Sequence, residues 1–170
     1  MHKRLYSLAV IFLISVSICF STAYSDDKII DVSYSQLTPE AKKQVDCLAD
    51  NIYHEAGYEP EAGMRAVAFV TLNRTQDRRF PKDICGVVKQ KTNETCQFTW
   101  YCEGKNVIRS NVVYNQAREV ALLMYANYEK MKDITQGALY YHADYVHPKW
   151  KLDKTTQIGR HIFYKERDGI

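Results

Sequence analysis

The N-terminal segment constrains this 170-residue chain more than any other feature of its sequence. A short basic start precedes an apolar run without charges at 5–20, and small residues follow that run. This order is typical of a secretory signal peptide, with cleavage after Ala23 or, as the alternative, after Ser25. We therefore predict that residues 1–25 are a signal peptide and that the chain folds after export, in the periplasm or cell envelope.

An uncleaved membrane anchor is the alternative interpretation of the same segment. The apolar run at 5–20 is shorter than the ~20 residues that a membrane-spanning helix usually needs. No second apolar run of sufficient length follows it in the sequence. We therefore expect contact with a membrane only through an uncleaved signal segment.

Four cysteines follow the signal segment, and export would place them in an oxidising compartment. They are Cys47, Cys85, Cys96 and Cys102. An even number of cysteines in an exported chain predicts two disulfides, and three pairings are possible. A zinc site would need closer pairs such as C-x2-C, which the chain lacks, so the cysteines predict no metal site. A catalytic cysteine paired with a histidine is the remaining alternative.

The charge balance argues against a protein that binds nucleic acid through a broad basic surface. The chain has 23 basic and 20 acidic residues, and Lys3 and Arg4 belong to the predicted signal peptide. The remainder is nearly neutral, whereas binding to a phosphate backbone depends on clustered Lys and Arg. Hydrophobic residues at 46% and charged residues at 25% are typical of a folded domain, and the length suits one domain.

Apolar residues recur at the three- and four-residue spacing of an amphipathic helix in several segments. Thr38 can cap a helix whose first position is Pro39, and Gly57 is a natural stop for that helix. The predicted helices cover 38–57, 60–74 and 112–130, with one helical turn at 84–88.

Short strands are predicted at 138–141 and 161–164, and the segment 95–101 is either a strand or a loop. We find no internal repeat and no interdomain linker. The sequence therefore predicts a single, mainly helical domain with a small β element, an α+β arrangement. Residues 26–46 form the lead-in and the start of the first helix, and the domain proper covers 47–170.

Glu55 is the candidate acid, because it lies in the last turn of the first predicted helix, at the edge of the apolar face. A projection at ~100° per residue puts it beside Leu48 and Ile52, while His54 points to the opposite side. Partial desolvation and the negative end of the helix dipole both raise the pKa of such a carboxyl group. A carboxylic acid that stays protonated near neutral pH can act as a general acid. An ordinary glutamate at the rim of the buried face is the alternative.

Two clusters of aromatic residues are candidates for binding a carbohydrate. Gln97 lies beside Phe98 and close to Trp100, and aromatic faces stack on sugar rings while an amide bonds hydroxyl or acetamido groups. A plain strand with its aromatic side chains in the core is the alternative. The second cluster comprises Tyr140, Tyr141 and His142, and Trp150 is a further candidate for stacking.

Six ordered segments form one pattern that extends from Cys47 to Tyr164, nearly all of the predicted mature chain. They are 48–56 (LADNIYHEA), 66–74 (AVAFVTLNR), 80–85 (FPKDIC), 96–100 (CQFTW), 137–143 (GALYYHA) and 158–164 (IGRHIFY). Their order and spacing resemble the cell wall hydrolases related to the spore cortex-lytic enzyme SleB.

The resemblance implies a compact, lysozyme-like catalytic domain that acts on peptidoglycan glycan strands and needs no cofactor. The catalytic glutamate of the family falls on Glu55. The Gln-Phe-x-Trp block of the family falls on Gln97, Phe98 and Trp100, which are thereby expected to line the glycan groove.

The Tyr-Tyr block of the family falls on Tyr140 and Tyr141, which are thereby expected to bind the substrate as well. His142 follows them at a position where spore enzymes often have asparagine, so the pattern differs at that residue. The chain also lacks the N-terminal glycan-binding repeats of the spore enzymes. The cysteines indicate an envelope compartment with disulfide chemistry, so a role in the spore cortex need not carry over from the resemblance.

The better-known members of this family are lytic transglycosylases. The resemblance therefore implies cleavage between N-acetylmuramic acid and N-acetylglucosamine that leaves a 1,6-anhydromuramic end. A hydrolytic muramidase at the same site is one alternative, and a non-catalytic peptidoglycan-binding module is another. A metal-dependent peptidase or amidase could act through His54, Glu55 and His142 or His161, although the sequence has no H-E-x-x-H motif.

Overall fold

The computed structural model describes residues 28–93, 95–105 and 107–167, so the predicted signal peptide lies outside the described residues. The helices are α1 (Pro39–Ala56), α2 (Glu61–Gln76), α3 (Ile84–Val88), α4 (Thr99–Cys102) and α5 (Asn111–Asn127). The strands are β1 (Lys91–Thr92), β2 (Thr95–Cys96), β3 (Tyr140–Ala143), β4 (Asp153–Ile158) and β5 (His161–Lys165). The structure is mainly helical with a small β part, which confirms the predicted α+β class.

Helix α1 begins and ends close to the residues that its sequence signals predict. Thr38 Oγ1 accepts the backbone N–H of Ala41 at 3.2 Å and so caps the first turn. The apolar stripe that includes Leu48 and Ile52 is fully buried, because α1 packs against α2, α3 and α5. Burial of this stripe fixes the rotation of α1 and with it the direction of the residues near its C-terminal end.

Helix α2 lies at the centre of the domain. Its side chains are buried on nearly all sides rather than along one stripe, and Val67, Phe69 and Val70 have no exposed surface. A helix that is covered all round belongs to the interior of a fold. It extends to Gln76, slightly beyond the predicted end, so that its last turns reach the beginning of β3.

Three antiparallel strands in the order β3-β5-β4 pack on α2. Phe163 of β5 is fully buried and shares a core cluster with Ala66 and Val70 of α2. Strands β3 and β5 confirm the two predicted strands, with β3 shifted by two residues along the chain. Strand β4 was not predicted, because it is an edge strand whose largely polar side chains give no apolar alternation.

The segment 95–101, predicted to be a strand or a loop, holds the two-residue strand β2 and then the short helix α4. The strand interpretation is therefore wrong for residues 99–101, which belong to α4. A disulfide between Cys96 and Cys102 closes this segment into a small ring. A helical turn fits such a ring because it brings the two ends of the segment together, whereas an extended strand would separate them.

The second disulfide joins Cys47 of α1 to Cys85 of α3, across a sequence separation of 38 residues. The four cysteines thus form two disulfides, as the sequence predicted, and the structure decides the pairing. Along the described residues, every helix is either too short or too polar to span a lipid bilayer.

Candidate active site

Glu55 lies in the last turn of α1, where it borders two cavities. The first, called here the outer groove, has a volume of about 670 Å³, and its lining includes His54, Glu55, Glu59, Lys105, Arg109 and Arg160. The second, called here the inner cavity, has a volume of about 150 Å³ and is lined by Glu55, Arg74, Gln97, Phe98, Thr99 and Tyr141. Helix α1 ends at Ala56, and its C-cap is Gly57, where a Cβ atom would overlap the carbonyl oxygen of Tyr53. The helix end next to the acid therefore requires glycine at this position.

Tyr141 of β3 holds the carboxyl group of Glu55. Its hydroxyl donates a hydrogen bond to Glu55 Oε2 at 3.0 Å. The ring of Tyr141 contacts His161 edge to face, with centroids 5.1 Å apart, and packs on Phe163. Because the ring of Tyr141 is packed against these two side chains, its hydrogen bond gives Glu55 Oε2 a defined position.

The end of α2 anchors the start of β3 and thereby sets the position of Tyr141. Asn73 Nδ2 donates to the carbonyl oxygen of Ala138 at 3.0 Å, and Arg74 Nε donates to the carbonyl oxygen of Leu139 at 2.8 Å. These two bonds fix the residues just before β3 against the central helix. Asn73 and Arg74 thus connect a helix in the core to the tyrosine that contacts Glu55.

Burial raises the pKa of Glu55 above its usual range, because desolvation disfavours the carboxylate. The hydrogen bond from Tyr141 and the positive charge of Arg74 act in the opposite direction, but they are smaller than the effect of desolvation. A glutamate with a raised pKa can donate a proton near neutral pH. The sequence-based expectation for Glu55 therefore agrees with its surroundings, although its role stays a prediction.

The structure separates the members of the Gln-Phe-x-Trp block. Gln97 is exposed, and Phe98 lines the inner cavity although only 4% of its surface is exposed. Trp100 is 8% exposed and packs in the core, where its Nε1 donates to Asn51 Oδ1 at 3.3 Å. Gln97 and Phe98 therefore lie at the cavity of Glu55, while Trp100 packs against His54 and Asn51 of α1.

His54 lies on the side of α1 opposite the apolar stripe, and this side is partly covered as well. Its ring is half-buried and stacks on Trp100 with centroids 4.4 Å apart. Desolvation lowers the pKa of His54, which favours the neutral imidazole. The projection of α1 could not show this cover, because Trp100 comes from α4, which is distant in sequence and carries no periodic signal.

The structure brings Tyr141 to Glu55 but places Tyr140 and His142 on the opposite face of the sheet, because side chains alternate along a strand. The hydroxyl of Tyr140 donates to Glu166 Oε1 at 2.8 Å. His142 Nε2 lies 3.0 Å from the hydroxyl of Tyr164. Trp150, 44% exposed, packs against these rings on that same face.

Tyr53 of α1 binds the segment before α5, which forms one wall of the outer groove. The hydroxyl of Tyr53 accepts the backbone N–H of Arg109 at 2.9 Å and that of Ser110 at 3.3 Å. Ser110 is also the N-cap of α5, since its hydroxyl accepts the N–H of Val113. The segment before α5 is thereby held beside Glu55.

The outer groove combines basic side chains with a second carboxylate. Lys105, Arg109 and Arg160 line it, and all three are exposed, while Lys105 pairs with Glu103 and Arg160 pairs with Asp144. A substrate carboxylate could therefore bind here by sharing or exchanging these surface pairs. Glu59 follows α1 in the same groove, and its Oε2 accepts the backbone N–H of Arg160 at 3.2 Å. Sequence analysis did not single out Glu59, because it lies in a loop without any periodic pattern.

The histidines named for a metal-dependent peptidase are held in separate contacts. His54 stacks on Trp100, His142 bonds Tyr164, and His161 lies against Tyr141. In the described part of the chain, no three His, Cys, Asp or Glu side chains are grouped so that they could hold a metal ion.

A mainly helical α+β domain with one desolvated glutamate between two cavities is the kind of arrangement that carries acid catalysis on glycosides. Comparison with known protein families agrees with this class. The family model described as Cell Wall Hydrolase matches residues 58–164. The chain therefore belongs to the Cell Wall Hydrolase family. The matched range includes Arg74 and Tyr141 and begins after Glu55.

The chain is similar to curated spore cortex-lytic enzymes. It is 31% identical to that of Oceanobacillus iheyensis over 128 residues, which cover 74% of this chain and 42% of the relative. It is 32% identical to that of Bacillus subtilis over 119 residues, which cover 68% of this chain and 35% of the relative. The chain thus spans less than half the length of these curated relatives.

Two solved structures share the fold. The catalytic domain of the Bacillus cereus SleB protein superposes with a TM-score of 0.59 and 31% identity, covering 73% of this chain and 91% of that chain. The catalytic domain of the germination-specific lytic transglycosylase SleB from Bacillus anthracis superposes with a TM-score of 0.59 and 29% identity, covering 80% and 100%. The resemblance described from the sequence is therefore confirmed.

Proposed function

We propose that this chain is an exported enzyme that cleaves the glycan strands of peptidoglycan as a lytic transglycosylase. The observation that carries the proposal is the carboxyl group of Glu55, which is desolvated and held by Tyr141 at the junction of the outer groove and the inner cavity. Family membership and the similarity to SleB catalytic domains support the same reaction class.

In the proposed reaction, protonated Glu55 gives its proton to the oxygen that links N-acetylmuramic acid to N-acetylglucosamine. The bond between that oxygen and the anomeric carbon breaks, and the neighbouring acetamido group stabilises the positive charge that develops. The carboxylate of Glu55 then accepts the proton of the muramyl 6-hydroxyl as this oxygen closes on the anomeric carbon. The product is a 1,6-anhydro end, and no water is consumed.

The outer groove supports a peptidoglycan substrate through its charge. Peptide stems and muramic acid derivatives carry carboxylates, and Lys105, Arg109 and Arg160 line the groove without being buried. Exposed basic side chains attract such groups over the Debye length without a large desolvation penalty. The glycan would lie along the groove with the scissile bond at Glu55, while the stems face these cations.

Glu59 favours hydrolytic muramidase action as a second candidate function. Glycosidases that use water commonly carry two carboxylates at the scissile bond, and Glu59 is a second carboxylate in the groove of Glu55. Its contact with the backbone of Arg160 gives it a defined position. In that case Glu59 would activate water or attack the sugar while Glu55 protonates the leaving oxygen.

The test is mass spectrometry of soluble products released from purified sacculi by wild type, Glu55→Gln and Glu59→Gln. The two variants make the same carboxylate-to-amide change within one groove, so each is a control for the other. A lytic transglycosylase gives anhydromuropeptides, lighter by one water than hydrolytic products. We expect Glu55→Gln to lower their release by about 10²–10⁴-fold. We expect Glu59→Gln to keep most of the activity.

Other outcomes select the alternatives. Reducing muropeptides that disappear in both variants would mean a muramidase with two carboxylates. Free stem peptides whose release stops with a chelator would mean a metal-dependent peptidase or amidase. Binding to sacculi without any soluble product would mean a non-catalytic module. Full activity of Glu55→Gln would remove Glu55 from the mechanism.

We also propose that the mature chain begins after Ala23 or Ser25 and works in the cell envelope. The two disulfides support this location, because such bonds persist in oxidising compartments. The N-terminal sequence of the exported protein, read by mass spectrometry, tests the cleavage site. An intact residue 1 in envelope fractions would instead indicate the uncleaved anchor.

A further inference from the structure

Arg74 is buried in the wall of the inner cavity, although arginine rarely leaves water. Only 2% of its surface is exposed. Its guanidinium lies over the rings of both Phe80 and Phe98, at 5.2 and 5.4 Å from their centroids, and its Nε donates to the carbonyl oxygen of Leu139. These three contacts restrict the orientation of the guanidinium.

One donor of this guanidinium has no partner. Arg74 Nη1 is buried, and no acceptor within the described residues bonds it. Arg74 and Glu55 line the same inner cavity, yet no direct ion pair between them is formed in the described part of the chain. A buried cation without a counter-charge is unfavourable, so the fold maintains here a positive charge that no fixed anion neutralises.

The proposed reaction creates an anion at this place. When Glu55 gives up its proton, its carboxylate becomes a negative charge in the cavity that Arg74 also lines. We propose that Arg74 is a positioning residue that stabilises the ionised form of Glu55 through the inner cavity, and so makes proton donation easier. This inference rests on the proposed function. Arg74 stays charged throughout, and only the proton of Glu55 moves, to the leaving oxygen and then back from the 6-hydroxyl.

Other titratable groups face Glu55 from the surrounding elements. They are Tyr141 of the sheet, Tyr53 and His54 of α1, Tyr58 and Glu59 after α1, Lys105 and Arg109 before α5, and Arg160 of the β4–β5 turn, while His161 contacts the ring of Tyr141. The exposed cations lie along the open outer groove, where water and salt screen their charges. Desolvation lowers the pKa of His54 and of His161, so both favour the neutral form. Arg74 is therefore the cation whose charge reaches Glu55 with the least screening.

The experiment is an infrared titration of the neutral carboxyl band of Glu55, assigned by its absence in Glu55→Gln. It is recorded for wild type, Arg74→Gln and Arg74→Lys. Arg74→Gln is neutral but keeps a donor that can reach the carbonyl oxygen of Leu139, whereas Arg74→Lys keeps the charge and loses the planar fork. Arg65→Met, on the same helix but outside both cavities, is the control.

We expect the titration midpoint of Glu55 to rise by about one unit in Arg74→Gln, because an opposite charge is removed. It should stay within about half a unit of wild type in Arg74→Lys and in Arg65→Met. In the pH profile of glycan release, the alkaline limb of Arg74→Gln should shift to higher pH, because the midpoint of Glu55 rises. An unmoved midpoint in folded Arg74→Gln would overturn the proposal and leave Arg74 a structural residue.

If Arg74→Gln does not fold, Arg74→Met replaces it as the neutral variant: a midpoint raised by about one unit is expected there, and an unmoved one would overturn the proposal. Arg74→Lys is the charge-conserving comparison in either case. A midpoint close to that of wild type in this charge-conserving variant is the expected result. A midpoint raised by a full unit would overturn the proposal, since the charge is still present. The titration needs no glycan turnover, so its result does not depend on the proposed function. If wild type released no products, the proposed function would be refuted, and the titration would still test whether Arg74 stabilises ionised Glu55.

Discussion

The hydrogen bond between Tyr141 and Glu55 gives a prediction that depends on one atom. Tyr141→Phe removes the hydroxyl that donates to Glu55 Oε2 at 3.0 Å and leaves the ring in place against Phe163. This bond favours the ionised carboxylate and therefore holds the pKa of Glu55 below the level that desolvation alone would set. Removing it must raise that pKa.

The size of the shift follows from the energy of such a bond. A hydrogen bond to a charged group contributes roughly 1.5–3 kcal/mol, and one pKa unit corresponds to about 1.36 kcal/mol. The full effect would be about one to two units. Because Glu55 also borders the open outer groove, water can replace part of the lost bond, so we expect the lower end of that range.

The assay is kcat/KM for release of muropeptides from sacculi, measured against pH. Activity needs protonated Glu55, so the alkaline limb reports its pKa, and a higher pKa moves this limb to higher pH. Tyr164→Phe is the control, because it also loses a hydroxyl contact, the one at 3.0 Å from His142, on the other face of the sheet. An alkaline limb that stays in place or moves downward in Tyr141→Phe would refute the reasoning.

Two further predictions concern stability. Replacing both Cys47 and Cys85 by alanine should lower the free energy of unfolding by about 4 kcal/mol. The same change at Cys96 and Cys102 should lower it by about 2 kcal/mol, because this disulfide closes the shorter loop. Urea titrations check this order, and a larger loss from the Cys96–Cys102 variant would contradict it. Trp100→Phe should cost about 1–3 kcal/mol by leaving the acceptor on α1 unpaired. The KM for glycan should not change, and a raised KM with unchanged stability would instead place Trp100 in the groove.

The candidate site divides into a part that one helix determines and a part that several elements build. The position of Glu55 at the rim of the buried face could be predicted, because α1 carries its own apolar period and its own cap. The cover over His54 could not be predicted, since it comes from α4, which packs on α1 from elsewhere in the chain. The burial of Arg74 could not be predicted from the sequence, because an arginine in a helix is usually exposed and only its tertiary neighbours show otherwise.

The sheet illustrates the same limit. Tyr140, Tyr141 and His142 are adjacent in sequence and looked like one aromatic cluster. Alternation along a strand sends Tyr141 to Glu55 and its two neighbours to the other face, beside Trp150. Which face receives which residue depends on the register with β5 and on the bond from Arg74 to Leu139.

By itself the sequence determined helices α1, α2, α3 and α5, the two predicted strands, the even set of cysteines and the position of Glu55 at the end of α1. These features depend on local periodicity, caps and motifs, which a short segment contains in full. Only the tertiary structure decided the disulfide pairing, the strand β4 and the meeting of Arg74, Tyr141 and Glu55 around one cavity. Those features depend on distances between segments far apart in the chain, and such distances exist only after the core has packed.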